Sequence, residues 1–524
     1  MKNISELFTV LLSLVVLSCN KEELLLKIDN QEKGYIEIKA IACVNPICPS
    51  NTKVTFNEGN KLIWENNDEI GVKVKSNISK LKLVSIENGR GIFSGTLSAI
   101  GDSMSIYYPS TVAQNAVDLT VQSGATIKDV AKNVVMFAKT KFSESPSFNF
   151  NNKVSILQLN IPAPLDINSK VALELTVHGA YSKGFLDESG NWKDTEVSAI
   201  KIKGAKIEDG VIKGYVAVLP ESKVANLRIS VTDGSKAYVS LNYTAKNAII
   251  PENKIITIKQ KVELLPAWRF AEYNMKNATT MATSDNIPIG YNVASQKNLT
   301  YYFDWNTSID NWSKGKSQYK VDGFEYYLPS QDEWRSIFAD FKGGNNIQFN
   351  KSISVTSTTE KISYGNVTKE YKATYWNSKL LNGKYDAYSI KLYTDTDYGA
   401  SCAYRYKWYN YGDKINAYLE VTVVYLGSDA EHYLKDITNK KSEVEELLNK
   451  VSMSNRIYRV LKFSASGYIS EGNTTVSDVG SFGDYWTSTE DDAEYSCDIY
   501  FTRVTVNIED YINKTKAFSI RLIR

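Results

Sequence analysis

Alternating apolar and polar positions run through the first part of the chain and predict short strands. Alternation is strict at 35–40, and the segments 61–64, 69–74, 81–84 and 90–97 continue the strand pattern. Successive side chains of a strand point to opposite faces, so this period indicates strands with one buried face. Asn, Gly and Asp residues separate these segments at near-regular spacing, which is typical of an antiparallel sandwich.

A second group of strands is predicted beyond the Pro-Ala-Pro sequence at 162–164, with segments at 172–177, 214–219, 227–231 and 254–259. The Leu-Leu-Pro sequence at 264–266 marks the next boundary, since proline interrupts regular structure. We therefore expect a mainly β protein with two β-sandwich domains in tandem, at 35–162 and 163–263.

Beyond residue 266 the pattern changes to helix signals among aromatic residues. Ser330 is placed as a helix N-cap, and Glu333 three residues later completes a capping box. Trp334, Ile337 and Phe338 would then share one helical face.

The segment 436–449 carries apolar residues among charges and predicts an amphipathic helix, within an insertion at about 436–452. A packed surface helix is the favoured interpretation, and a lid is the alternative.

The first residues of the chain predict export from the cytoplasm. Lys2 precedes an apolar run at 7–17, which is shorter than the roughly 20 residues that span a bilayer and is typical of a signal peptide. The Leu-Ser-Cys sequence ending at Cys19 resembles a bacterial lipobox, and the Lys-Glu-Glu sequence at 21–23 resembles the surface-export signal of Bacteroidetes lipoproteins.

This resemblance implies that residues 1–18 are removed, that Cys19 is lipidated and that 19–34 form a linker from the outer membrane to the first domain. An ordinary secretory peptide with an incidental cysteine is the alternative.

Composition and charge exclude several classes of protein. The 61 basic and 59 acidic residues leave a net charge of +2, which argues against a nucleic-acid partner because such partners select a basic face. Only two histidines are present, His178 and His432, and this removes most metal and acid–base sites. Phosphate-loop, paired-histidine and Cys-x-x-Cys motifs are missing from the sequence. We therefore expect neither enzymatic activity nor a cofactor, and a structural role for His178.

Four cysteines remain beyond Cys19. Cys43 and Cys48 are close in sequence and could close a small loop, whereas Cys402 and Cys497 could pair only through the fold. Disulfides and free thiols are both left open for each pair in this export setting.

Residues of the first half resemble those of the fimbrillin family of Bacteroidales pilins. The resemblance rests on Trp64 and the segments 68–72, 93–97 and 107–109, and it covers about 35–262. It implies tandem β-sandwiches that assemble with other pilin subunits by donor-strand exchange, in which a strand of one subunit completes the sheet of the next.

The last part of the chain resembles a bacterial C-type-lectin-like module, through the Leu-Pro-Ser sequence at 328–330 and the segments 467–468, 480–489 and 517–524. This implies an α+β lectin-like domain at 266–524 that recognises a glycan or protein ligand. Formylglycine-generating enzymes are more distant relatives, but their closely spaced cysteine pair is missing here, so their activity is not expected. The Glu-Pro-Asn and Gln-Pro-Asp triplets of calcium-dependent lectins are also missing. For the acidic residues at 490–492, a solvated turn is favoured over a calcium site.

The densest aromatic stretch of the chain, 404–411, is the candidate ligand site. Rigid aromatic side chains stack on sugars and anchor protein contacts. The candidate binding residues are Tyr404, Arg405, Tyr406, Trp408 and Tyr409. Alternation would divide them between two faces of a strand, so the competing interpretation for half of them is core packing.

These features predict a surface-exposed outer-membrane lipoprotein that acts as a pilus tip subunit or adhesin. The last predicted strand ends at Arg524 within the lectin-like domain, so we expect the subunit to accept a strand but not to donate one. The alternative is a non-polymerising glycan-binding lipoprotein of a polysaccharide-uptake system.

Overall fold

A computed structural model of the chain describes residues 36–44, 48–49, 64–240, 248–284, 301–340, 347–364, 367–379, 385–393, 400–453, 456–473 and 475–524. In these ranges no helix combines the length and apolar character needed to cross a membrane. The expected signal peptide, the lipid site at Cys19 and most of the expected strand 61–64 lie outside the described residues.

The strands of the first half are β1 (Ile36–Val44), β2 (Cys48–Pro49), β3 (Glu69–Val74), β4 (Asn77–Glu87), β5 (Arg90–Leu97), β6 (Ser103–Tyr108), β7 (Val117–Asp118), β8 (Val121–Ser123), β9 (Met136–Lys141), β10 (Ser147–Asn152), β11 (Ser155–Pro162), β12 (Leu173–His178), β13 (Tyr181–Leu186), β14 (Trp192–Val197), β15 (Ile200–Glu208), β16 (Val211–Val218), β17 (Arg228–Thr232), β18 (Ala237–Ser240), β19 (Lys254–Ile258) and β20 (Val262–Leu264). Helical turns in this half are α1 (Ile127–Ala131) and 3-10 turns at Ser110–Ala113 and Val224–Asn226.

Strands of the second half are β21 (Met275–Asn277), β22 (Thr280–Met281), β23 (Lys320–Val321), β24 (Phe324–Glu325), β25 (Thr356–Tyr364), β26 (Val367–Lys379), β27 (Tyr385–Leu392), β28 (Ser401–Tyr409), β29 (Tyr418–Tyr425), β30 (Tyr458–Ser464), β31 (Phe482–Glu490), β32 (Tyr495–Thr502) and β33 (Val506–Asn513). Its helices are α2 (Pro266–Arg269), α3 (Trp305–Trp312), α4 (Gln331–Arg335), α5 (Ala430–Leu434) and α6 (Ile437–Asn449), with 3-10 turns at Gly427–Asp429 and Val451–Met453. The mainly β prediction is confirmed.

Seven strands of the first unit close into a barrel, in the order β1-β10-β9-β6-β3-β4-β5. Strand β1 closes it, because β1 pairs antiparallel with β5 and parallel with β10. Trp64 lies in the barrel core, with its ring centroid 5.0 Å from that of Phe93. The expected sandwich is thus a closed barrel, and closure satisfies every barrel edge.

The second unit is built on a large sheet in the order β2-β19-β11-β16-β15-β12-β17-β18-β20. Strand β11, which the sequence placed in the first domain, belongs here because it pairs with β16 and β19 over its length. Short strands of the first unit also cross over, since β8 pairs with β15 and β7 pairs with β13. The two units therefore interlock, and the predicted boundary at 162 does not separate their strands.

The third unit contains a six-stranded antiparallel sheet in the order β25-β26-β27-β28-β29-β30 and a three-stranded sheet in the order β31-β32-β33. Its core includes Trp334, Ile337 and Phe338. Burial of the three side chains is as expected, but the helix ends at Arg335, so Ile337 and Phe338 lie in the turn that follows it instead of on a helical face. Ser330 caps α4 and forms the predicted capping box with Glu333. Residues 517–524 form isolated bridges to several segments instead of the expected terminal strand.

The second and third units are joined by direct pairing and packing. Strand β20 pairs with β18 and runs straight into α2. The indole of Trp268 donates to the Ser235 carbonyl at 3.0 Å, and Asp166 forms ion pairs with both Lys236 and Arg524. A fragment beginning at 266 would lose these contacts, so experiments on the third unit require the whole chain.

Candidate functional site

Strand β28 contains the predicted aromatic stretch, and the two faces of the strand have different environments. Tyr404 and Tyr406 point inward and are 0% exposed. The Tyr406 hydroxyl donates to the Ile337 carbonyl at 2.8 Å, and the Tyr404 hydroxyl contacts that of Tyr393. As ligand residues these two predictions are wrong, because both side chains are part of the core.

Trp408 also belongs to this inner face. Its indole donates to the Thr502 carbonyl at 2.5 Å, and its ring lies edge-on to Phe501 with centroids 5.3 Å apart. These contacts join the six-stranded sheet to the three-stranded sheet. The structure therefore gives Trp408 a structural role in place of the predicted ligand contact.

Helix α6, which confirms the amphipathic helix expected at 436–449, covers only half of the outer face of the six-stranded sheet. Val444 and Leu448 are buried there against Trp376 and neighbouring apolar side chains. The Glu445 carboxylate accepts a hydrogen bond from the Trp376 indole at 2.8 Å. The remaining half of this face, on the ends of β28, β29 and β30, is left partly exposed.

Four side chains on this uncovered half form what we call the platform: Lys407, Tyr409, Tyr418 and Lys462. Strand register places Tyr409 directly opposite Tyr418. Their rings stack with centroids 5.1 Å apart and an interplanar angle of 18°. The Lys407 ammonium lies 4.9 Å from the centroid of Tyr409, and the Lys462 ammonium lies 4.9 Å from that of Tyr418. The platform thus combines two aromatic rings with two cations.

Buried charges lie beside the platform and hold Arg405 in place. The Arg405 guanidinium donates to Glu420 at 2.7 Å and to Asn449, at the end of α6, also at 2.7 Å. Burial raises the pKa of Asp386, which lies on the same face, to about 6, while Lys407 and Arg405 act in the opposite direction. Burial also raises the pKa of Tyr409, and the Glu420 carboxylate adds to this shift.

The arrangement is suited to binding. Positive side chains on β28 and β30 lie on the same sheet surface as the carboxylates of Asp386 and Glu420, and two aromatic rings lie beside them. In the described part of the chain, no group of His, Cys, Asp and Glu side chains is arranged to hold a metal ion. The two histidines lie elsewhere: His178 is buried beside the Ser230 hydroxyl, and His432 contacts Glu443 on a helix surface.

The acidic turn at 490–492 is closed by a lysine. The Lys514 ammonium lies 2.5 Å from the Glu490 carboxylate and donates to the Asp492 carbonyl. The Asp492 carboxylate accepts hydrogen bonds from the backbone N–H groups of Glu494 and Tyr495, which lower its pKa. The Lys514 ammonium therefore occupies the centre of the turn at 490–492, at the position that a calcium ion would take.

For Cys402 and Cys497 the sequence left a disulfide and free thiols open. The two cysteines are buried in different sheets and are not bonded to each other. Burial raises the pKa of the Cys402 thiol, so it packs as a small apolar side chain. The backbones of Cys43 and Cys48 lie in β1 and β2, but their side chains are outside the described part, so that pairing stays a prediction.

Sequence reasoning missed two carboxyl groups in the three-stranded sheet. Asp484 on β31 and Asp498 on β32 are buried against each other. Burial and the neighbouring carboxylate raise the pKa of Asp484 well above its ordinary value, and burial raises that of Asp498 to about 7. Two aspartates within apolar strand segments are the only sequence signal for this pair.

Comparison with known proteins gives one family match and several distant structural similarities. The model of a domain of unknown function (DUF8237) matches residues 263–523. No curated protein matches the sequence. A candidate cell adhesion protein from Bacteroides ovatus ATCC 8483 is 14% identical, with 44% of this chain and 96% of that chain covered and a TM-score of 0.31.

Another candidate cell adhesion protein, from Bacteroides uniformis ATCC 8492, is 19% identical, with 44% and 95% covered and a TM-score of 0.29. A candidate polysaccharide binding protein from Bacteroides thetaiotaomicron VPI-5482 is 8% identical, with 37% and 76% covered and a TM-score of 0.24. These scores are too low to establish a shared fold or function.

Proposed function

We propose that the protein is a cell-surface binding protein of the adhesin type, and that its platform holds a glycan or the polar surface of another protein. The observation that carries the proposal is the uncovered half of the outer sheet face, where Lys407, Tyr409, Tyr418 and Lys462 form one ordered group. Aromatic rings and cations on rigid strands provide apolar contact and hydrogen bonds with little loss of entropy on binding.

The platform is held in place by its surroundings. Arg405 links β28 to Glu420 on β29 and to Asn449 on α6, so the strands and the helix are tied together beneath the platform. A site on paired strands retains its geometry better than a site on a loop. Binding without chemistry is proposed because the platform consists of two ammonium groups and two phenols, with the carboxylates of Asp386 and Glu420 beside it, and this set does not form a nucleophile–base pair.

The surface location in this proposal rests on the lipobox-like sequence that ends at Cys19. Assembly by strand addition would use a sheet edge, and β30 is an edge strand, because among the described strands it pairs only with β29. Part of this edge is already occupied, since the Lys462 carbonyl accepts from Arg521 and the Ser464 carbonyl accepts from Tyr485. The closed barrel of the first unit, in contrast, offers no open edge in its described strands. That observation favours the second candidate function, a non-polymerising glycan-binding surface protein.

A glycan array probed with the whole chain, with and without calcium, tests the ligand proposal. We expect reproducible glycan binding that Tyr409→Ala reduces at least about tenfold, since the variant removes the ring that Lys407 and Tyr418 contact. Tyr511→Ala is the matched control, because Tyr511 is an exposed tyrosine on β33, away from the platform. Equal loss in both variants, or binding unchanged by Tyr409→Ala, would exclude the platform.

Identification of bound partner proteins distinguishes the pilus-associated adhesin from the non-polymerising glycan-binding protein. Pull-down of pilin subunits with the purified whole chain would support strand addition, and blocking the β30 edge with Val460→Pro should then abolish it. Glycan binding without any pilin partner would support the non-polymerising alternative.

A further inference from the structure

A concave site lies at the opposite edge of the six-stranded sheet, beside β25 and β26, whereas the platform lies on β28 to β30. It is a cavity of about 270 Å³, which we call the serine cleft. Hydroxyl-bearing side chains and one lysine line it: Ser330, Ser363, Thr368, Ser488, Tyr327 and Lys314. The cleft has the size for one sugar ring and is smaller than the usual pocket for a larger ligand.

Three separate parts of the chain build this cleft. The Ser488 N–H donates to the Pro329 carbonyl at 2.9 Å, which joins the end of β31 to the start of α4. The adjacent Gln331 N–H donates to the Thr489 hydroxyl at 3.0 Å. Ser363 and Thr368 face each other across the β25–β26 hairpin, with their hydroxyl oxygens 2.6 Å apart. The hydroxyl groups are therefore fixed by strand pairing and main-chain hydrogen bonds.

The carboxylate of Glu333 at the base of the cleft is already neutralised. It accepts hydrogen bonds from the Tyr327 hydroxyl at 2.8 Å and the Ser330 N–H at 2.9 Å. The Arg269 guanidinium, itself buried, lies 3.4 Å from the same carboxylate. Because Arg269 offsets the charge of Glu333, the base of the cleft does not repel an anion.

Lys314 is the charged residue of the cleft lining that has no opposite charge paired with it in the described part of the chain. Its ammonium lies 4.8 Å from the centroid of the Tyr327 ring. Within the described part of the chain this ammonium has a ring contact and no ion pair. An uncompensated cation above a hydroxyl-lined cleft favours a ligand that carries a carboxylate, since charge-assisted hydrogen bonds are about twice as strong as neutral ones.

We propose that the serine cleft binds a carboxylate-bearing sugar unit, with the carboxylate on Lys314 and the sugar hydroxyls on the serine and threonine side chains. The site would recognise an acidic residue of a glycan, whereas neutral sugars would lack the contact to Lys314. This inference goes beyond the platform, since the two sites share no residue.

Titration calorimetry of the whole chain with glucuronate, and separately with glucose, tests the proposal. We expect millimolar binding of glucuronate, weakened about tenfold by Lys314→Gln and reduced by added salt. Lys316→Gln is the matched control, because Lys316 is an exposed lysine two residues away that does not line the cleft. Ser488→Ala should weaken glucuronate binding by a smaller factor.

The results distinguish this site from the platform. Tyr409→Ala should leave glucuronate binding unchanged if the serine cleft is the site. Absence of glucuronate binding at millimolar concentrations, or equal effects of Lys314→Gln and Lys316→Gln, would overturn the proposal whatever the glycan array shows. Loss in Tyr409→Ala but not in Lys314→Gln would assign the sugar to the platform instead.

Discussion

Tyr406 and Tyr409 lie three residues apart on β28, and their surroundings differ completely. Tyr406 stacks on Phe338 and donates its hydroxyl to the Ile337 carbonyl, which lies in the turn that follows α4 in the core. Tyr409 stacks on Tyr418 on the opposite face, beside two lysines and partly in solvent. One face of the sheet thus anchors the fold, while the other presents side chains for binding.

The two faces also treat charge differently. On the inner face, Lys391 and Glu360 are each 1% exposed and paired, and the Lys391 ammonium also donates to the carbonyls of Arg335 and Phe338 at 2.7 Å each. All three donors of this lysine are therefore used. On the outer face, Lys407 is half-buried and contacts a ring. A fully buried cation requires complete pairing, whereas a cation that still reaches solvent can pair with a ligand.

The largest expected difference in the free energy of unfolding is between substitutions of these two lysines. Lys391→Met leaves the Glu360 carboxylate buried without its partner, and we expect a loss of about 3–5 kcal/mol in the free energy of unfolding. Lys407→Met, the matched change on the outer face, should cost at most about 0.5 kcal/mol. Chemical denaturation of both variants measures the difference. Similar values for the two would contradict the distinction between the faces, and Lys391→Met with Glu360→Met should regain much of the loss.

A pH dependence is expected from Asp386 on the outer face. Its pKa is about 6 in the folded protein and near 3.8 when unperturbed, so the unfolded chain releases the proton first as the pH rises. Its contribution to stability is therefore complete below about pH 4 and lost by about pH 6, and it amounts to about 3 kcal/mol. Asp386→Asn should flatten the stability profile in that window. An unchanged slope in the variant would exclude the buried carboxyl as its source.

The smallest expected difference in unfolding free energy between the two faces comes from removing one hydroxyl group on each face. Tyr406→Phe leaves the buried Ile337 carbonyl without its donor, which should cost about 1–2 kcal/mol. Tyr409→Phe, whose hydroxyl lies on the uncovered face, should change the unfolding free energy by less than about 0.5 kcal/mol. Thermal unfolding of the two variants gives the comparison, and a larger cost for Tyr409→Phe would reverse the assignment of the faces.

Individual strands and helices could be predicted from the sequence. Strands 69–74 and 90–97 and the helix that begins after Ser330 rest on period-two alternation and a capping box, which need only neighbouring residues. The alternation also divided the aromatic stretch correctly between two faces, although it could not say which face was buried.

Contacts between residues that are distant in sequence could not be predicted. Tyr418 on β29 and Lys462 on β30 join Tyr409 in the platform only because strand register places them there. Lys391 and Glu360 are far apart in sequence and meet through strand pairing. The parallel pairings of β1 with β10 and of β11 with β19 likewise join segments that are far apart in sequence, and no local pattern indicates them.

Lysine labelling of the whole chain, free and bound to a glycan selected on the array, tests the central claim most directly. We expect Lys407 and Lys462 to be protected in the bound state, while Lys450, an exposed lysine that follows α6, is labelled equally in both states. Protection of Lys314 in the same experiment would report occupancy of the serine cleft. Equal labelling of Lys407 and Lys462 in the free and bound states would contradict the assignment of the platform as the ligand-binding surface.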